Sequence, residues 1–117
     1  MKTSELDFCY FQDRVDRWAE RLGLGDWDIR CAHTECVEVL AEVSINPVGR
    51  VASVALSTDW GDLDEITRDT LDKTARHEVL HVVLADLVRY AENRTQDEEL
   101  RDTIEHAIVR RLEKALR

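Results

Sequence analysis

Positive charge is scarce in this sequence: 16 Lys and Arg stand against 25 Asp and Glu, a formal net charge of -9. A chain of that balance presents no broad basic face, and nucleic acid is not expected as a partner. The acidity is uneven, with 14 acids and 6 bases in residues 1–66 and 11 acids and 10 bases in residues 67–117. One Pro and 4 Gly leave little material for a long linker or a loop-rich fold. No apolar run approaches the roughly 18 residues of a membrane span. The opening MKTSELDFCYFQDRVDRW places acids inside its apolar stretch, unlike a signal peptide, so a cytoplasmic protein with no membrane partner is expected. Cys9, Cys31 and Cys36 form no CxxC and are odd in number, which reads as reduced thiols.

What remains is a globular composition, 44% hydrophobic and 35% charged, in 117 residues, enough for a single domain spanning 1–117. Phe8, Phe11, Val15, Trp18, Ala19 and Leu22 recur at helical steps, predicting a helix from about Ser4 to Leu22. Ser4 is its expected N-cap with Asp7 in the capping-box place, and Gly23 and Gly25 are its stop. Alternation predicts strands at 27–33, within 37–45 and at 50–58, the last with Ala52, Val54, Leu56 and Thr58 on its more apolar side. A long helix from about Asp64 to Asn93 follows. A last helix runs to about Leu116, with Thr95 as N-cap and Glu98 completing its capping box. The fold class is α+β: an N-terminal helix, a small three-stranded antiparallel or mixed sheet, a long helix and a C-terminal helix.

Within the long helix stands His77-Glu78-Val79-Leu80-His81, an HExxH motif. The i,i+4 spacing puts both imidazoles on one face, one turn apart, where both reach one ion. Glu78 falls to the side of that face, the position of a base rather than a ligand. With 4 His in the chain, independent placement produces this pattern about 1% of the time. Leu80, Leu84, Leu87, Val88 and Ala91 form an apolar face, and both histidines lie at its edge.

A catalytic zinc site takes three protein ligands. The candidates in the last helix are Glu98, Glu99, Asp102, Glu105 and His106. If Leu100, Ile104, Ala107, Ile108 and Leu112 define the inward face, Glu105 lies at its margin and His106 points away. Glu105 is therefore the expected third ligand, with His106 as the alternative. Asp86 is a weaker candidate for orienting a histidine, and is read rather as a solvated acid or a partner of Arg89. His33 and Tyr10 are weaker still, as groups that stabilise an oxyanion.

The chain resembles the small zincin-like metallopeptidases encoded by phages and prophages. The likeness is carried by Leu22-Gly23-Leu24-Gly25-Asp26-Trp27-Asp28-Ile29, by Ala52-Ser53-Val54-Ala55-Leu56-Ser57-Thr58, by Ala75-Arg76-His77-Glu78-Val79-Leu80-His81, and by the run from Ile104 to Glu113. The resemblance implies a minimal zincin-like fold, a glutamate as third ligand and a bacterial host cell. It also implies an edge strand, here 51–57, that holds an extended peptide. The metzincin extension HExxHxxGxxH is absent, with Leu84 at the glycine and Leu87 at the third histidine. SprT-like and repressor-cleaving bacterial zincins share the scaffold type.

The function expected is a zinc-dependent endopeptidase acting through a metal-bound water that Glu78 activates, with Zn2+ on His77, His81 and Glu105. The alternative is a zinc-binding interaction module on the same scaffold with little turnover. A metal-free adaptor is a third reading. A core of this size leaves room for a homodimer or a partner protein to complete the substrate cleft.

Overall fold

A computed structural model describes residues 1–62, 65–92 and 98–116 of the chain. The elements are α1 (Glu5–Arg21), β1 (Asp28–Thr34), β2 (Ala41–Asn46), β3 (Val51–Ser57), α2 (Arg68–Val83), α3 (Ala85–Glu92) and α4 (Glu98–Ala115). The expected helix limit at Asn93, the Thr95 cap and the side chain of Leu100 lie outside the described residues, and the start expected near Asp64 is replaced by Thr67 as the N-cap of α2, with residues 65–67 outside the helix.

α1 begins as its sequence requires. The Ser4 hydroxyl accepts from the Asp7 amide at 3.0 Å, and the Asp7 carboxylate accepts from the Ser4 amide at 2.8 Å. Two of the orphan donors at the helix start are thereby satisfied. The helix ends in a Schellman motif: Leu24 N–H reaches Ala19 O at 2.9 Å and Gly23 N–H reaches Glu20 O at 3.2 Å. Gly23 sits at φ 74, a left-handed position open to glycine at little steric cost.

Phe11, Val15 and Trp18 of α1, spaced four and three apart, bury against Leu71, Ala75 and Val79 of α2 and against Val54 and Leu56 of β3. Each large apolar side chain buried here contributes roughly 1.5–3 kcal/mol of transfer free energy. The helical layer covers one face of the sheet. Trp18 also donates its indole N–H to Asp72 at 2.8 Å, and Arg14 donates to the same oxygen at 2.6 Å, which ties α1 to α2.

The sheet is mixed and runs β1-β3-β2. β3 pairs parallel with β1, Cys31 facing Val54, and antiparallel with β2, Val43 facing Val54. The expectation that 51–57 is an edge strand is therefore wrong: β3 is the central strand, and β1 and β2 are the edges. The physical reason is legible afterwards. β3 reads VASVALS without a charge, whereas β1 carries Asp28 and Arg30 and β2 carries Glu42. Charged side chains belong on edges, where they discourage further pairing, and an uncharged strand is comfortable between two neighbours. Ala52, Val54 and Leu56 are fully buried under the helices, which bears out the more apolar side read from the sequence.

The long helix expected up to Asn93 is also divided. α2 ends at Val83 with Leu84 as its C-cap, and α3 starts at Ala85. No Gly or Pro marks this break. At the start of α3, the Arg50 guanidinium binds both oxygens of Asp86 at 2.8 Å and also Asp26 at 2.6 Å while stacking on Trp27. Arg50 itself lies at φ 56, a strained backbone position for a side chain that these partners maintain. The preference for Arg89 as the partner of Asp86 is thus replaced by Arg50, which is distant in sequence.

Candidate metal centre

α2 is started by Thr67 and Thr70, each accepting from the other's backbone amide at 3.1 and 3.0 Å. Ten residues of helix then carry His77 and His81 onto one face near its C-terminal end. That end bears the negative pole of the helix dipole and favours a cation. His81 is buried and His77 half-buried.

The two Nε2 atoms face each other at 3.3 Å. Two imidazole nitrogens on one tetrahedral zinc, each at about 2.0–2.1 Å, stand about 3.3 Å apart by simple geometry. The separation is therefore that of two ligands sharing one ion. His106 of α4 joins them: the available donor atoms of His77, His81 and His106 all lie within 4.8 Å of one another. Its ring centroid is 4.9 Å from that of His81 and 6.1 Å from that of His77. This donor set fits a single Zn2+ ion, a metal well matched to imidazole.

Each motif histidine is held from behind by a carboxylate. His77 Nδ1 lies 3.1 Å from Glu113 Oε1, and His81 Nδ1 lies 3.3 Å from Glu105 Oε1. A carboxylate at Nδ1 fixes the ring orientation and leaves Nε2 free for metal. Glu105, the expected third ligand, thus lies against the far nitrogen of His81, while the donor that joins the two histidines is His106. Glu113 was not singled out from the sequence. The signal was present, since Glu105, Val109 and Glu113 recur at i,i+4,i+8 on one stripe of α4.

The expected inward face of α4 is corrected by the same observation. Val109 is fully buried, while Ile104 is 51% exposed. The side turned toward α2 is the largely polar stripe of Glu105, His106, Val109 and Glu113. Ile104 and Ile108 instead form a groove with Leu87 and Val88 of α3. An apolar stripe marks where a helix packs only when its neighbour is apolar, and here the neighbour is a pair of histidines that need polar partners.

Glu78 is 7% exposed. Burial pushes its carboxyl up to about 7, assisted by the nearby charges of Glu42 and Glu113 and opposed by His81. Burial likewise lowers His77 and outweighs the pull of Glu113 upward. For His81 burial is again the largest effect and acts downward, but the Glu105 hydrogen bond and the surrounding carboxylates overcome it, and the net shift is upward. The concentration of carboxylates around three imidazoles makes the site suited to a dication.

A cleft of about 370 Å³ opens beside the motif, lined by Leu40, Ala41, Thr74, His77, Glu78 and Glu113. Its far wall is the start of β2, so the strand bordering the site is the antiparallel edge β2 and not β3. The weaker candidates are engaged elsewhere. Asp86 binds Arg50, His33 Nε2 meets Thr3 Oγ1 at 2.7 Å and stacks on Phe8, and Tyr10 lies under the Arg68 guanidinium. Cys9, Cys31 and Cys36 are free thiols, and burial pushes Cys31 up to about 11, the mark of an unreactive sulfur.

A mixed three-stranded sheet, a helix bearing His-Glu-x-x-His and a C-terminal helix supplying the third donor together make a minimal zincin arrangement. The triad of His77, His81 and His106 with Glu78 beside it is the kind of site that zinc endopeptidases use. Comparison with family models, curated proteins and solved structures finds no match. Among the described residues no helix is long and apolar enough to cross a membrane.

Proposed function

We propose that this chain is a zinc-dependent endopeptidase of the phage or prophage type, working in the cytoplasm of a bacterial host. The single observation that carries the enzymatic reading is the 3.3 Å approach of the two Nε2 atoms with a buried carboxyl, Glu78, next to them. His77 and His81 would hold the ion, and α4 would supply a third donor. Glu105 is the ligand that the family resemblance implies. The three-imidazole cluster supports His106 in that role, with Glu105 orienting His81.

Zinc, when bound, polarises the scissile carbonyl and makes water a nucleophile at neutral pH. Glu78 accepts the proton on a carboxylate oxygen and delivers it to the leaving nitrogen. Its burial limits contact with bulk water and raises its proton affinity above that of an exposed carboxyl, which suits a group that both takes and gives a proton. Glu113 and Glu105 hold the two rings in the tautomer that presents Nε2. The extended substrate pairs with the free edge of β2, which borders the cleft, by main-chain hydrogen bonds.

The test is degradation of an unfolded protein, reduced and carboxymethylated, by the zinc-loaded chain. Cleavage is expected, halted by a chelator and restored by added zinc. Stoichiometric zinc without any cleavage, across unfolded proteins and a random peptide library, would favour the interaction module on the same scaffold.

A further inference from the structure

Against a chain of net charge -9, one surface is strongly basic. Beside the metal centre, α2 and α4 enclose a cleft of about 490 Å³ lined by Lys73, Arg76, Arg110, Arg111, Glu113 and Lys114. Its acid, Glu113, is engaged by His77. Lys73 is paired with Asp69 at 2.8 Å. Arg110, Arg111 and Lys114 are exposed and have no ion pair among the described residues.

Arg76 is the unusual member. It is 7% exposed, and its Nε is sealed from solvent with no hydrogen-bond partner. A buried N–H without an acceptor is costly, and the face of Trp18, 5.7 Å from the Arg76 Cζ, offsets only part of that loss. Asp72, one turn earlier on the same helix, binds Arg14 and Trp18 through Oδ1, and among the described residues no ion pair joins it to Arg76. A buried Arg and three exposed bases without an ion pair among the described residues leave this cleft with an excess of positive charge that suits an anion.

The cleft adjoins the metal site. Lys73 and Glu113 line both it and the cleft beside His77 and Glu78. A chain lying across the metal centre and over Lys73 therefore places its next side chains among these bases.

We infer that this basic cleft is a subsite for carboxylates, and that the substrate is a peptide carrying acidic residues on one side of the bond to be cut. The inference rests on the peptidase reading for what lies on the other side of Lys73. The negative charge elsewhere repels such a peptide, so attraction is confined to this cleft and sets its direction across the site.

Binding separates the two claims, because it needs no turnover. The zinc-loaded chain is titrated into a fluorescein-labelled, blocked decapeptide with three consecutive glutamates, and into its counterpart with three glutamines. The glutamate peptide is expected to bind about tenfold tighter in low salt, with the difference shrinking as salt rises. The exposed double variant Arg110→Gln/Arg111→Gln, which leaves the core untouched, is expected to remove most of that preference while keeping its zinc. Arg76→Gln, if folded by circular dichroism, is expected to do the same. Equal binding of the two peptides, or a preference unchanged in the double variant, overturns the inference. Tighter binding of a single-stranded DNA oligomer than of the glutamate peptide, lost in the same double variant, also overturns it. Cleavage of a random peptide library with no acidic enrichment on either side of the cut refutes the subsite and leaves the peptidase standing. Glutamate-selective binding by a chain that takes up no zinc supports the subsite and refutes the peptidase.

Discussion

Glu78→Gln is expected to reduce cleavage of an unfolded protein by about 10²–10⁴-fold while leaving zinc bound. The amide keeps the shape and the hydrogen-bonding size of the carboxyl but accepts no proton. Because Glu78 stands beside the histidine face and not on it, the Nε2 atoms of His77 and His81 keep their 3.3 Å approach and the metal keeps its ligands. Burial already disfavours the charged carboxylate here, so the neutral replacement introduces no new buried charge. Folding is thus expected to be intact, and the whole loss falls on the chemical step. Zinc content and cleavage rate measured on the same preparation separate the two. A variant that holds zinc and cleaves at the parent rate removes Glu78 from the reaction.

The second large effect concerns the third donor. His106→Ala is expected to release zinc as fully as His81→Ala does, because each removes one of three imidazoles from the cluster. Glu105→Ala is expected to keep one zinc per chain at an affinity lowered about 10–100-fold, the effect of losing a carboxylate that orients a ligand histidine. Competition with a chromogenic chelator measures both. The reverse pattern, zinc lost in Glu105→Ala and retained in His106→Ala, assigns the glutamate to the metal and His106 to the rim. Glu113→Ala behaves like Glu105→Ala in this account, since it meets His77 through the same nitrogen, Nδ1.

Much of this architecture is written locally and was readable. Ser4 with Asp7 starts α1, Gly23 ends it, and the i,i+4 histidines fall on one face of α2 because helical geometry leaves no alternative. Three features escaped because they are settled by partners distant in sequence. The order β1-β3-β2 depends on which strand takes two neighbours, and only the absence of charge from VASVALS hints at it. The break at Leu84 lies beside Asp86, which Arg50 reaches from the β2–β3 turn, and no Gly or Pro announces it. The rotation of α4 does not follow its apolar periodicity, since Ile104 is exposed and Val109 is buried. A helix opposite two histidines turns its polar stripe inward, which brings in Glu105, His106 and Glu113 together. The same local view hid the basic cleft, since its residues come from two helices and sum to a positive surface only when packed.

The metal content of the parent chain tests the central claim most directly. Protein is purified without added metal, reloaded with zinc and freed of excess, then assayed by elemental analysis beside its circular dichroism. One zinc per chain is expected. A folded chain that holds no zinc after reloading contradicts it, and leaves His77, His81 and His106 as neighbours without a metal to share.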